Sequence, residues 1–171
     1  PAAGGGVTTA CFFDGTAKLS ATDPDVFKEH VKALFGGRAE AMAQLTVLKN
    51  MIYPDLLKWW RQERRALVNS LSRMGPKDRL PWYGPPMSAV SFATSRLMET
   101  WAHGQDVVDA LGVSRLVTDR LRHIAHLGNI TFGWSFANRK MEVPKAPVRV
   151  ELTAPSGELW TWGPEEVVDV I

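Results

Sequence analysis

Apolar residues recur every three to four positions along most of this chain, which is the pattern of amphipathic helices. The segments with this pattern are 7–19, 24–35, 38–52, 56–74, 86–111 and 113–132. The second of them has clear ends, because Asp23 is a typical N-cap and Pro24 is accepted at a first helical position. Gly36 and Gly37 then stop it. The pattern predicts a mainly α protein with four or so long helices in a bundle.

The pattern changes after residue 141. Two X-Pro steps at 143–147 form a linker, and residues 148–152 and 159–162 then alternate between apolar and polar. A turn sequence at 154–157 separates these two runs, so they predict a β-hairpin, followed by a short helix at 167–171. We therefore predict a helical bundle over 1–142 and a small appendage over 143–171. Because an isolated hairpin is marginally stable, it should pack on the helical part or on a partner.

Composition narrows the function classes. The chain has 171 residues, 45% of them apolar, and a net charge of +2. Its charges of both signs are mixed, which predicts no nucleic-acid partner, and no apolar run is long enough to span a bilayer, which predicts no membrane partner. No signal peptide is visible, and the single cysteine, Cys11, excludes an internal disulfide. These features favour a globular cytoplasmic protein.

The segment 86–111 carries the main candidate for chemistry. Glu99 and His103 are four residues apart, so on a helix both side chains can point at one divalent cation. They belong to a largely polar stripe of Phe92, Arg96, Glu99, His103 and Asp106. The neighbouring apolar stripe comprises Val90, Ala93, Leu97, Trp101, Val108 and Leu111. Spacing alone favours a solvated Glu99–His103 pair worth about 0.2–0.5 kcal/mol, because two ligands do not make a site.

Other candidates each have a structural alternative. Arg61 and Arg64 could hold a carboxylate, although exposed arginines usually serve solubility. Trp82 and Tyr83, in the proline-rich segment 80–87, could line a pocket or simply plug the core.

The chain's other histidines are weaker candidates. His123 and His126 are three apart and could face one site, although one of the two is more often a hydrogen-bonded core residue. His30, between charged residues, is expected on the solvated surface.

Several blocks of the sequence resemble actinobacterial members of the mycothiol-dependent maleylpyruvate isomerase family. These blocks are 81–89, 96–106, 119–128 and 148–152, and the resemblance extends over nearly the whole chain. It implies a DinB-like four-helix bundle with a metal site in its core, often followed by a small α/β domain that the hairpin would begin. It also implies that Glu99 and His103 are metal ligands.

The sequence departs from the family at the third ligand. That ligand is a histidine on an early helix, just before an aromatic-aromatic-Asp sequence. Here that sequence is Phe12-Phe13-Asp14, and Thr9 stands at the ligand position. We therefore expect zinc, or another divalent metal, to bind weakly or not at all. Family members also carry an earlier helix and a longer second domain, so we expect a homodimer that covers the apolar faces left open.

The resemblance implies a metal-assisted, mycothiol-dependent isomerase or S-transferase that acts on a small electrophilic substrate. Glu99 and His103 would be the catalytic pair, and mycothiol the co-substrate. The residues expected to bind substrate are Arg61, Arg64, Trp82, Tyr83 and Arg96, with His123 and His126 as reserve ligands. A bound metal would lower the pKa of the thiol.

The alternative is a metal-free protein that kept the bundle and lost catalysis, and that binds a small molecule or serves as a scaffold. The missing histidine near Phe12 favours this alternative, whereas the Glu99–His103 pair favours the enzyme. Metal analysis of the purified protein would separate the two hypotheses.

Overall fold

The computed structural model describes residues 14–36, 46, 47 and 50–166. The chain divides into two compact units, Pro1–Ser114 and Arg115–Ile171. The predicted helix at 167–171, two thirds of the one at 38–52 and the first half of the one at 7–19 lie outside the described residues. The predicted domain boundary between 142 and 143 stays a prediction.

The first unit is mainly helical. Its described elements are α1 (14–22), α2 (Pro24–Phe35), α3 (Tyr53–Leu71), β1 (Arg79–Leu80), β2 (Met87–Ser88) and α4 (Ala89–Leu111). Asp23 caps α2 as predicted, since its carboxylate accepts a hydrogen bond from the Val26 amide. Ser88 caps α4 in the same way, and the left-handed Gly112 ends that helix.

The short antiparallel strands β1 and β2 flank a loop over residues 81–86. The loop is not helical, as its prolines predicted. The loop is tied to α1 because the Ser20 hydroxyl donates to the Pro81 carbonyl at 2.6 Å. Trp82 stacks on Phe27 with ring centroids 5.6 Å apart and meets Phe92 edge-on at 5.1 Å. Phe27 and Phe92 are fully buried, so the loop closes over the core of this unit.

Helix α4 turns a different face inward from the one its apolar stripe suggested. Val90 and Leu111 from that stripe are 56% and 69% exposed. Phe92 and Arg96 from the polar stripe are buried, whereas Asp106 at its far end is exposed, so the spacing-based expectation that this stripe faces water fails for its first half. The large Phe92 ring fixes the inward direction, and residues three and four positions further along follow on the same side.

The second unit contains α5 (Leu121–Ile130), α6 (Phe132–Asn138), β3 (Val150–Thr153) and β4 (Leu159–Trp162). The strands pair antiparallel, with Val150 opposite Trp162, which confirms the predicted hairpin. Trp160 of β4 is buried. Trp162, on the same strand, donates from its Nε1 to His126 Nδ1 on α5 at 3.2 Å. The hairpin therefore packs on a helix of its own unit.

The predicted helix over 113–132 is wrong at its start. Residues 113–118 have no regular structure, and α5 begins only at Leu121. Val113, Leu116 and Val117 are all exposed, so their helical spacing finds no surface to pack against. An amphipathic pattern without such burial does not stabilise a helix.

Taken over its described residues, the protein is mainly helical, with two small two-stranded antiparallel sheets. None of the described helices combines the length and the apolarity that crossing a bilayer requires.

Candidate functional site

Glu99 and His103 lie one turn apart on the inward side of α4. Glu99 Oε2 and His103 Nε2 are 3.3 Å apart, and the side chains are only 26% and 24% exposed. The other ring nitrogen, His103 Nδ1, lies 3.3 Å from Asp106 Oδ2. The imidazole is thus placed between two carboxylates, and an imidazolium could donate to both.

A buried guanidinium adjoins this pair. Arg96 lies one turn before Glu99, with its Nη2 3.9 Å from Glu99 Oε1 and its guanidinium 4.5 Å from the centre of the Trp82 ring. Burial lowers the pKa of Arg96 below its usual value, while the charges of Glu99 and Asp14 act in the opposite direction. Because arginine keeps its proton in proteins, Arg96 supplies a buried positive charge beside Glu99.

Asp14 adds a buried acid that sequence analysis did not predict as a site residue. Its Oδ2 accepts a hydrogen bond of 2.6 Å from Trp60 Nε1. Burial raises the pKa of Asp14, whereas the Trp60 hydrogen bond and the charges of Arg96 and Arg64 lower it. The available signal was an acidic residue inside an otherwise apolar helical stretch, because such a residue needs a partner when buried.

The raised pKa of Asp14 predicts a pH-dependent cost in stability. A carboxyl whose folded pKa lies above its ordinary 3.8 contributes stability below that pH and loses it as the pH rises through the folded pKa. Asp14→Asn keeps an acceptor for Trp60 and does not titrate. We therefore expect the free energy of unfolding of this variant, relative to that of the parent, to increase as the pH rises from 3.8 through the folded pKa of Asp14. Urea denaturation at a series of pH values measures this difference.

Asp25→Asn is the matched control. Lys28 lies 2.8 Å from Asp25 and holds the pKa of that exposed carboxyl below its usual value. The sign is then opposite, so the control should lose stability relative to the parent as the pH rises. If Asp14→Asn instead follows the parent at every pH, the assignment of a strained acid at this position is wrong.

The aromatic loop contributes Trp82 and Tyr83. Both are half-buried and pack against Phe27 on α2, and Trp82 also covers Arg96. The loop therefore covers the core of the first unit, and through the contact of Trp82 with Arg96 it also adjoins the candidate site. A substrate-binding role for its two aromatic residues stays a prediction.

His30 is not the solvated residue that its charged neighbours suggested. It is half-buried, its Nε2 lies 3.3 Å from the Tyr83 hydroxyl, and burial lowers the pKa of His30. Burial likewise raises the pKa of Tyr83. The reason is the β1–β2 loop, which brings Tyr83 onto α2 from far along the chain.

Arg61 and Arg64 are exposed on α3. Together with Arg65 they line an open surface groove of about 520 Å³. The Arg64 guanidinium lies 4.7 Å from the centre of the Trp60 ring, and the same indole holds Asp14. Arg64 is thus separated from the buried acid by one aromatic side chain.

The reserve histidines belong to the second unit. His126 Nδ1 is occupied by the Trp162 indole, and His123 is exposed. Their role as substitute ligands stays a prediction. Thr9, the expected third-ligand position, lies outside the described residues.

The Glu99–His103 pair fits two corners of a metal site. Two ligands that each lie about 2.05 Å from a tetrahedral ion are roughly 3.3 Å apart, which is the separation of these two atoms. Within residues 14–36, 46, 47 and 50–166, no group of three or more His, Cys, Asp or Glu side chains could hold one metal ion. The described residues therefore bring no third ligand to this pair, whereas a catalytic zinc usually takes three protein ligands.

These features define a mainly helical protein with a half-buried acid–histidine pair on one helix. The chain belongs to the mycothiol maleylpyruvate isomerase family, whose N-terminal domain matches residues 10–108. This match confirms the resemblance inferred from the sequence blocks. It includes α4 from its start at Ala89 to Val108, three residues before the end of that helix.

Two proteins of Mycobacterium tuberculosis, from different strains, are similar to the chain: uncharacterized protein MT0041 and uncharacterized protein Rv0036c. Each is 44% identical over 154 residues, which cover 90% of this chain and 60% of the relative. The chain thus spans about 60% of the length of these relatives. No solved structure gives a significant match.

Proposed function

We propose that this protein is a mycothiol-dependent isomerase or S-transferase that acts on a small electrophilic substrate, with Glu99 and His103 at the reacting centre. The observation that carries the proposal is the Glu99–His103 pair on the inward side of α4, inside the stretch that the family's domain matches. The same match supports a finer fold, in which the helices of the first unit form a DinB-like four-helix bundle.

The chemistry starts with the thiol, because only the thiolate is nucleophilic. His103 Nε2 is placed to accept the thiol proton, and the carboxylates of Glu99 and Asp106 then stabilise the imidazolium. If Glu99 and His103 held a divalent ion such as zinc instead, that ion would stabilise the thiolate in place of proton transfer to His103, because the Nε2 lone pair can serve only one of the two roles. The buried Arg96 adds positive charge to the same side of α4.

The thiolate adds to an electrophilic carbon, so a C–S bond forms and the displaced electron pair moves onto the conjugated acceptor of the substrate. In an isomerase the C–S bond breaks again after rotation about the former double bond, and the thiolate is regenerated. In a transferase the proton held on His103 is delivered to the carbanion, and the S-conjugate is released. The same residues serve both outcomes.

Substrate binding falls to side chains on the other elements. Arg61 and Arg64 would hold an acidic group of the substrate in the groove on α3, since guanidinium groups bind carboxylates in a bidentate manner. Trp82 and Tyr83 do not line this groove; they would contact an unsaturated part of the substrate from the aromatic loop next to Arg96.

The second candidate function is a metal-free protein that binds a small apolar molecule or acts as a scaffold. It is favoured by one observation, namely that the described residues contain no group of three or more His, Cys, Asp or Glu side chains that could hold a metal ion. Under this alternative, Glu99, His103 and Asp106 form a structural ion cluster.

The test uses the purified chain and measures two quantities. Its metal content is determined by atomic emission, and turnover of small conjugated acids and alkylating electrophiles is followed with mycothiol or with cysteine as the thiol. We expect turnover that requires mycothiol. If mycothiol neither binds nor supports turnover of any electrophile, while an apolar dye binds, the second candidate function replaces the first.

We also propose that the chain forms a homodimer. Large apolar side chains remain mostly exposed, among them Phe35, Leu111 and Leu116. Exposed large apolar side chains favour association where they cluster on a surface. Light scattering should give twice the monomer mass, and a clean monomer at high concentration would contradict the proposal.

A further inference from the structure

His103 has a carboxylate at each ring nitrogen. Nδ1 lies 3.3 Å from Asp106 Oδ2, and Nε2 lies 3.3 Å from Glu99 Oε2. A neutral imidazole carries one N–H, so only one of the two carboxylates can accept a hydrogen bond from it. The carboxylate that takes this hydrogen bond decides which nitrogen keeps its lone pair for chemistry.

The two carboxylates differ in their other partners. Glu99 also lies near a cation, because Arg96 Nη2 is 3.9 Å from its Oε1. Within the described part of the chain, His103 is the only basic side chain in contact with Asp106. The contact of Nδ1 with Asp106 also has the geometry of a hydrogen bond, whereas Nε2 and Glu99 are only within ion-pair distance. The Nδ1–H form of His103 is therefore favoured.

We propose that Asp106 is a positioning residue that accepts the Nδ1–H of His103 and leaves the Nε2 lone pair directed towards Glu99. The proposal rests on the proposed function and deepens it, because it names Nε2 as the atom that receives the thiol proton. A carboxylate behind a functional histidine fixes its tautomer and ring orientation and raises the basicity of the free nitrogen.

The position of the two side chains agrees with this division of roles. Asp106 is 60% exposed and lies one turn beyond His103, whereas Glu99 is 26% exposed and lies one turn before it. The more exposed carboxylate, that of Asp106, thus contacts the His103 ring at Nδ1. The reactive nitrogen, Nε2, lies on the side of the less exposed Glu99. The spacing of three residues between His103 and Asp106 keeps both side chains on one helix face.

The direct test is a long-range ¹H–¹⁵N correlation of the histidine side chains, recorded at alkaline pH where imidazole is neutral. The chain has four histidines, and His103→Gln identifies the signal of interest. We expect the Nδ1–H tautomer in the parent protein. In Asp106→Ala the Nε2–H tautomer, which free histidine prefers, should become the major form. Asp106→Asn retains an acceptor oxygen and should restore part of the parent signal.

Asp109→Ala is the matched control. Asp109 lies on the same helix and accepts a hydrogen bond of 2.7 Å from Gln105 Nε2 instead of contacting His103. This variant removes an equal charge from the same end of α4 and should leave the His103 tautomer unchanged. An Nε2–H tautomer in the parent protein, or a tautomer that shifts equally in both alanine variants, would overturn the proposal.

A kinetic measurement tests the role beyond the tautomer. Asp106→Ala should lower kcat/KM about 10–100-fold with an unchanged thermal midpoint, which is the usual loss when the partner of a functional histidine is removed. The same kcat/KM as in Asp109→Ala would overturn the role. If the tautomer responds as expected but no electrophile is turned over with mycothiol, the proposed function fails while the placement of His103 by Asp106 stands.

Discussion

Glu99→Gln and His103→Gln are each expected to lower mycothiol-dependent kcat/KM by at least about 100-fold, the lower range for the loss of a proton-transfer group. Glu99→Gln keeps the size of the side chain and removes the charge that would stabilise an imidazolium or bind a cation. His103→Gln removes the proton acceptor itself. Because the two groups act through one contact of 3.3 Å, the double variant should lose little more than either single variant.

The control for this pair is Glu63→Gln. Glu63 lies on α3, is 17% exposed on its side chain and pairs with Lys18 at 3.1 Å, so it matches Glu99 in burial and in having a cationic partner. Its loss should affect stability and leave turnover close to that of the parent. Circular dichroism melting of all variants separates unfolding from loss of chemistry. Full activity in Glu99→Gln would exclude the pair as the reacting centre.

The periodicity of the sequence predicted those elements whose signals are local. Asp23 caps α2 because its side chain reaches an amide only three residues away. The hairpin forms where period-two alternation flanks a turn, and Val150 pairs with Trp162 as that alternation indicates. In both cases the residues that decide the structure are neighbours in sequence.

The orientation of α4 could not be predicted in this way. Its polar and apolar stripes are adjacent, and the choice between them depends on what Phe92 meets in the core. Trp82 meets that ring from a separate loop, and it also covers the guanidinium of Arg96. The Trp82 ring over the guanidinium thus allows Arg96 to be buried, although its hydropathy alone predicts an exposed position.

The buried acid was missed for a related reason. Asp14 and the Trp60 indole that binds it are 46 residues apart, and the Tyr83–His30 contact spans 53 residues. Periodicity indicates that a residue faces inward but carries no information about its partner. The family resemblance therefore predicted Glu99 and His103, which form a motif within one helix, and gave no indication of the Asp14–Trp60 pair.

Thr9→His is expected to raise zinc affinity on the order of 100-fold, or about 2.7 kcal/mol, if Thr9 holds the third-ligand position. The physical reason is the number of protein ligands. Glu99 and His103 offer two atoms whose separation of 3.3 Å suits a tetrahedral ion, and a threonine hydroxyl adds little as a zinc ligand. Calorimetric titration with zinc would measure the gain directly.

The neighbouring substitution Thr8→His provides the control for Thr9→His. On a helix, adjacent residues point about 100° apart, so a histidine at position 8 should not reach an ion held by Glu99 and His103. Equal affinity in the two variants would show that the alignment of the first helix with the family is wrong. Tight stoichiometric zinc in the unaltered protein would instead require a third ligand from elsewhere, and His103→Gln would then still weaken binding. The titration of the three proteins therefore locates the ligand set without relying on turnover.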